Sequence, residues 1–254
     1  MAPGQRHLVC GGACRQPATA RANRIRARAC AVFLVVASLA EPAAAQFAAR
    51  VGIDSDYRLR GYSLTDDRPA LSAQFSYDDR SGLYASVLGL AEVGAHNRFL
   101  GAIGSAGYAK RVSSTVSLDV GLLRSQIRGA TYGARGFDYT EFYAGTYVGP
   151  VSGRVSYSPD YRRPGQSTVY GELEAGFEPA TDWRVSGHAG MLVYLKTAGF
   201  YQAGETHRDW RFSVARRFRA AEVHASLSGG GPSSYYGYRL HKKTAFTVGT
   251  SVAF

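Results

Sequence analysis

The sequence predicts an all-β protein: an antiparallel transmembrane β-barrel of about twelve strands, preceded by a cleaved signal peptide. Three observations predict it. Apolar and polar side chains alternate with period two through most of the chain after residue 46. The connections between the alternating runs are short and long in turn. The first 45 residues have the form of an export leader.

The leader is read first. Arg6, Arg15, Arg21, Arg24, Arg26 and Arg28 precede ACAVFLVVASLA (Ala29 to Ala40), which is followed by EPAAAQ. This is a basic region, an apolar region and an A-x-A site at Ala43 to Ala45. Twelve residues are too few to cross a bilayer as a helix, which needs about 20. Cleavage after Ala45 is therefore expected, leaving 46–254 as the barrel; the alternative is a signal anchor that stays attached. Cys10, Cys14 and Cys30 all lie in the leader, so the exported part has no disulfide and needs another source of stability, such as a closed hydrogen-bonded wall. The leader carries a net +5 of the chain's +11, and the remaining +6 is too weak to imply a nucleic-acid partner once export is accepted.

Composition agrees with a sheet. Thirty Gly and 17 Tyr against nine Pro favour strands over helices, and a charged fraction of 19% with 45% hydrophobic residues excludes disorder. A mean hydropathy of −0.18 argues against a helical multispanning membrane protein.

The strands follow in order. The first is expected over Phe47 to Arg60. Val51, Ile53, Tyr57 and Leu59 fall on one face, and Asp54, Asp56, Arg58 and Arg60 on the other. Ten further runs are predicted over 70–77, 83–90, 99–110, 115–124, 139–148, 151–158, 168–177, 183–194, 209–218 and 221–228, and the last over Thr244 to Phe254. A soluble sandwich would bury the apolar face. A membrane barrel gives that face to lipid and the polar face to a wet lumen. The connections favour the barrel. DDRSG, VSST, GP, EPATD and RA are short, and the connections between them are longer. An even strand number then puts both termini at the short-turn, periplasmic end, a regularity that a jelly roll or lipocalin does not require.

An Arg exposed to mid-bilayer lipid costs about 2–4 kcal/mol, so the charged parity is expected to face inward. The lumen set is Asp54, Asp56, Arg58, Arg60, Glu141, Arg154, Glu172, Glu174, Arg184, His188, Arg211, Glu222 and His224. Phe246, Val248, Val252 and Phe254 alternate back from the chain end and resemble the C-terminal signature by which outer-membrane proteins are recognised for assembly. Arg162, Arg163, Lys242 and Lys243 are read as loop charge, either solvated or in contact with lipopolysaccharide phosphates. Tyr57, Tyr62, Tyr77, Tyr157, Trp183 and Trp210 are read as interfacial aromatics.

No catalytic, cofactor or metal residues are expected. The chain lacks G-x-S-x-G, a Walker A loop and H-E-x-x-H, and no spacing supports a Ser/His site around His188 or His224.

SDYRLRGYSLTDDRPALSAQFSYDDRSGLYASVLG resembles the opening of the TorF family, exported proteobacterial proteins named as porins. DYTEFYAGTYVGPVSGRVSYSPDY, from Asp138 to Tyr161, resembles that family's middle motif. The resemblance implies an outer-membrane porin and carries over no catalytic or binding residues. The expected function is passive diffusion of small polar solutes or ions. The expected partners are outer-membrane lipid, lipopolysaccharide and the barrel assembly machinery. A non-conducting barrel and a membrane enzyme are the alternatives.

Overall fold

Each alternating run pairs with the next, and the last closes on the first. The computed structural model describes residues 45–94, 97–128, 136–197, 203–230 and 244–254, so all of the leader before Ala45 lies outside the described residues. The strands are β1 (Ala45–Asp54), β2 (Arg58–Leu59), β3 (Tyr62–Ser63), β4 (Ala70–Asp79), β5 (Leu83–Glu92), β6 (Arg98–Arg111), β7 (Val116–Ile127), β8 (Phe137–Val148), β9 (Val151–Ser158), β10 (Ser167–Ala180), β11 (Trp183–Lys196), β12 (Thr206–Phe218), β13 (Ala221–Gly230) and β14 (Thr244–Ala253). β1 and β4 to β14 form one closed antiparallel barrel of twelve strands, and β2 pairs only with β3. Closure leaves no sheet edge, so every wall strand has two hydrogen-bonded neighbours.

The seam lies between β1 and β14. Arg50 pairs with Ala253 and Asp54 with Gly249. Ala49 and Phe254 exchange backbone hydrogen bonds at one end of this run, and the Ser55 amide donates to the Val248 carbonyl at the other.

The two parities of the strands have different surroundings. Phe47, Leu173 and Phe246 are among the most exposed apolar side chains, at 80%, 62% and 68%. Val51, Phe75, Val87, Leu118, Phe142, Val155, Phe212, Val223 and Val248 continue the same outer face. Such a belt is stable against hydrocarbon and unfavourable in water. The charges on this face, Asp79, Lys110, Arg124, Asp138, Arg208 and Arg216, all stand within three positions of a strand end. Arg216 lies over the Trp183 and Phe218 rings at 5.3 and 4.8 Å, with its apolar stem along the belt. Tyr77, Tyr157, Trp183 and Trp210 have the outer parity.

The opposite parity is rich in Gly and Ser in the lower wall. Ser86 pairs with Ser105, Gly107 with Gly121, Ser213 with Ser226 and Gly52 with Ser251. The room left at Gly107 and Gly121 is taken by Tyr84 and Tyr143, whose rings a Cβ there would meet.

The first expected strand needs correction. β1 stops at Asp54, so Asp56, Arg58 and Arg60 are not on it. The chain leaves the wall and forms the β2–β3 hairpin, with Arg58 opposite Ser63 and Leu59 opposite Tyr62. Its turn residues Arg60 and Gly61 have φ of 50° and 77°. Left-handed backbone at both central positions is what a tight two-residue hairpin turn requires, and Gly adopts it without steric cost. The hairpin enters the barrel at the long-loop end. There Tyr62 and Leu64 pack with Leu90, Leu100, Ile127, Tyr139, Tyr161, Tyr170, Leu192 and Tyr194. The apolar core of this protein is therefore inside the upper barrel, around the hairpin. Tyr57 and Tyr62 belong to this interior and not to an interfacial girdle.

Candidate functional site: the lumen and its inserted hairpin

The interior has two regions. In the short-turn half it is wet and charged. Arg184 there, and Arg211 and Glu174 at the level of His188, have side chains 45%, 46% and 51% exposed, although their strands turn them away from the outer belt. Arg184 donates to Glu222 at 3.0 Å, and Arg50 lies 3.7 Å from the same carboxylate. Arg211 donates to Glu174 at 3.2 Å. In a wet setting such pairs contribute about 0–1 kcal/mol each, so they set the charge pattern more than the stability.

The middle of the wall is more tightly paired. His224 Nε2 and Asp54 Oδ1 are 2.7 Å apart, across Gly249 of β14. A Cβ at Gly249 would run into both, so this pair depends on the glycine between them. His188 stands 3.0 Å from Asp209 and 3.9 Å from Glu172. Arg154 donates to Asp119 at 3.1 Å and lies 4.4 Å above the Tyr143 ring.

The long-loop half is filled by the hairpin. Asp56 accepts from Ser63, Thr65 and Arg58, so its charge is satisfied within the hairpin. Arg58 also donates to the Gly61 carbonyl at 2.8 Å. At the tip, Arg60 Nη1 and Nη2 donate to Glu141 Oε1 and Oε2 at 2.7 and 2.8 Å. Both partners are nearly sealed from water, with side-chain exposures of 10% and 2%. The guanidinium carbon lies 3.9 Å from the centre of the Tyr170 ring, 5.6 Å from Tyr139 and 5.7 Å from Tyr161. Burial works against the Arg60 charge, but Tyr139 and the Glu141 carboxylate outweigh it, and its pKa lies above the ordinary arginine value. Burial, then the Asp54 carboxylate, push the Tyr57 phenol up to about 12. Tyr62 Oη is 3.2 Å from His207 Nδ1, and Arg162 lies 5.2 Å from the Tyr62 ring. At the rim Arg68 and Arg98 both hold Glu92, at 2.7 and 3.3 Å.

The expected inward residues thus separate into a wet set, a paired middle set and the hairpin tip with Glu141. Asp119, Asp209, Glu92, His207 and the three tyrosines around Arg60 were not among them. Asp209 was legible, because it shares the parity of Arg211 on β12, and Asp119 because it has the parity opposite to the apolar Leu118, Val120 and Leu122 of β7. Of the C-terminal residues, Phe246, Val248 and Phe254 are exposed on the outer face, and Val252 is half-buried. Arg163 lies in the connection between β9 and β10; Lys242 and Lys243 fall outside the described residues. Among the described residues no three of His, Cys, Asp and Glu come together as a metal-binding group.

A closed twelve-stranded antiparallel wall with an apolar outside and a charged inside is the fold of outer-membrane porins. Two solved structures have it: the KdgM porin, 12% identical, covering 82% of this chain and 99% of that one with a TM-score of 0.51, and the NanC porin, 10% identical, covering 82% and 99% with a TM-score of 0.50. No curated protein matches the sequence. The chain belongs to the bacterial family Gcw_chp, described as a bacterial protein of unknown function, whose model matches residues 39–238.

Proposed function

We propose that this protein is a porin-like channel of the Gram-negative outer membrane, for passive diffusion of small polar solutes or ions. The observation that carries this reading is the pairing of an apolar outer belt with a wet, charged inner face in the short-turn half. The signal peptide of 1–45, cut after Ala45, delivers the chain across the inner membrane. The short turns and both termini face the periplasm, and the C-terminal strand engages the assembly machinery. The long loops meet lipopolysaccharide. The resemblance of its opening and middle motifs to the TorF porins supports the same reading. Mixed charges on the inner face favour weak ion selectivity over the strong selectivity of a ring of one sign.

The hairpin packed in the upper lumen favours a second reading, a barrel that does not conduct. Recording from pure refolded protein in a planar bilayer under a salt gradient separates the two. Small steps with modest ion preference are expected. No steps above lipid background, from protein with the gel shift of a folded barrel, would overturn the channel and leave the closed barrel.

A further inference from the structure

The inserted hairpin is held in shape by its own contacts. Asp56 bridges Arg58, Ser63 and Thr65, and the Tyr57 amide donates to Thr65 Oγ1 at 3.1 Å. It leaves the wall where the Ser55 amide donates to the Val248 carbonyl, and it returns where the Pro69 carbonyl accepts from the Val93 amide. Between these points Arg60 holds Glu141 of the wall, and Tyr62 Oη meets His207 Nδ1.

The wall around Arg60 offers more than a counter-charge. One carboxylate receives two parallel N–H donors, and three tyrosine faces surround the guanidinium. This chemistry takes a guanidinium or alkylammonium group out of water, whichever molecule carries it. Glu141, Tyr139 and Tyr170 belong to the wall, and Tyr161 to the connection between β9 and β10. The site therefore does not need the hairpin for its construction. Arg60 is its occupant in cis.

We propose that Glu141, Tyr139, Tyr161 and Tyr170 form a recognition site for solutes bearing a guanidinium or primary ammonium group. Arg60 fills the site in their absence, and such solutes displace Arg60 and the hairpin with it. The step from displacement to solute passage rests on the channel reading; the binding step does not. The site is available only when Arg60 has left, so a solute that binds there at free concentration c shifts the hairpin outward by RT ln(1 + c/Kd), a shift that grows with its concentration. A short flexible tether would give Arg60 an effective concentration on the order of millimolar, and a hairpin held in shape and packed in the lumen presents it at least as strongly, so the response belongs at millimolar free solute or above.

Two measurements test this. Arg60→Ala empties the site and leaves Glu141 in place. Millimolar methylguanidinium should raise the heat-modifiability midpoint of that variant, equal sodium should not, and Arg60→Ala/Glu141→Gln should not respond. In the wild-type barrel, millimolar agmatine should speed chymotryptic cleavage between Tyr57 and Leu64 several-fold over an equal concentration of sodium. An unchanged midpoint in folded Arg60→Ala overturns the recognition site. A shifted midpoint with wild-type cleavage unmoved by agmatine overturns the displacement. Both readouts are independent of current, so a barrel that binds these cations and never conducts would refute the channel alone.

Discussion

Arg60 and Glu141 lie 81 positions apart and meet through two parallel hydrogen bonds inside the barrel. One is at the tip of an inserted hairpin and the other is on the wall strand β8. Removing one partner of a buried ion pair costs about 3–5 kcal/mol when the other charge has nowhere to go. Here the remaining charge can leave if the hairpin swings out, which also gives up the packing of Tyr62 and Leu64 and the contact of Tyr62 with His207. Glu141→Gln should therefore release the hairpin and not unfold the wall. Trypsin should then cut at Arg58 or Arg60 at least tenfold faster than in the wild type, with the gel shift of the folded barrel retained. Equal cleavage rates would mean that the apolar contacts of Tyr62 and Leu64 hold the hairpin without the ion pair.

Register is tested by neighbours on β4. Phe75 is 58% exposed on the outer belt, opposite Ala49 and Val87. Gln74 has the inner parity, opposite Arg50 and Leu88. Phe75→Arg should cost about 2–4 kcal/mol in a bilayer, and Gln74→Arg much less. The yield of folding into lipid vesicles measures both. Equal losses would contradict the assignment of faces.

The wall was legible because period two is imposed on it twice, by lipid outside and by water inside. The expected runs over 151–158 and 183–194 coincide with β9 and the larger part of β11. Where the reading fell short, lipid no longer constrains the face. β5, β7, β11 and β13 run two or three residues further towards the long loops than expected, β8 and β12 start earlier on the same side, and β4 and β10 run two or three residues further towards the short turns. The hairpin was missed for a different reason. Its own strands alternate, so Tyr57 and Leu59 against Arg58 and Arg60 continued the pattern of β1 without a break. The turn signal was Arg60-Gly61, flanked by residues that can pair. The partner of Arg60 was not legible, since nothing local ties it to Glu141.

Phe254 completes the seam. Its amide donates to the Ala49 carbonyl at 2.9 Å, and its carbonyl accepts from the Ala49 amide at 3.3 Å. Its ring is 65% exposed on the outer face. Deleting it removes the last bonds between β14 and β1 and the terminal aromatic of the proposed assembly signal. Heat-modifiable barrel in the outer membrane should fall several-fold. Purified variant refolded in detergent should lose less, because only the cellular route reads the signal. Unchanged cellular levels would remove Phe254 from assembly.

Ion preference should respond differently to two inward arginines. Arg184 is 45% exposed and shares Glu222 with Arg50. Arg184→Ser therefore removes one positive charge from the wet half and leaves Glu222 with a partner. Folding should be nearly unchanged, and the reversal potential under a salt gradient should move towards cations if the residue lines the narrow part of the path. Arg154 is different. Its partner Asp119 is only 3% exposed, and Arg154 also lies over Tyr143. Arg154→Ser leaves the buried Asp119 without its guanidinium and with the Tyr84 hydroxyl still donating to it, at a cost of about 1–3 kcal/mol. It should lower the heat-modifiability midpoint, and any change in selectivity comes with that loss. The pair of variants thus separates a charge that tunes the lumen from one that holds the wall. A large drop in midpoint for Arg184→Ser, with none for Arg154→Ser, would reverse these roles and contradict the division of the interior into a wet half and a tightly paired middle.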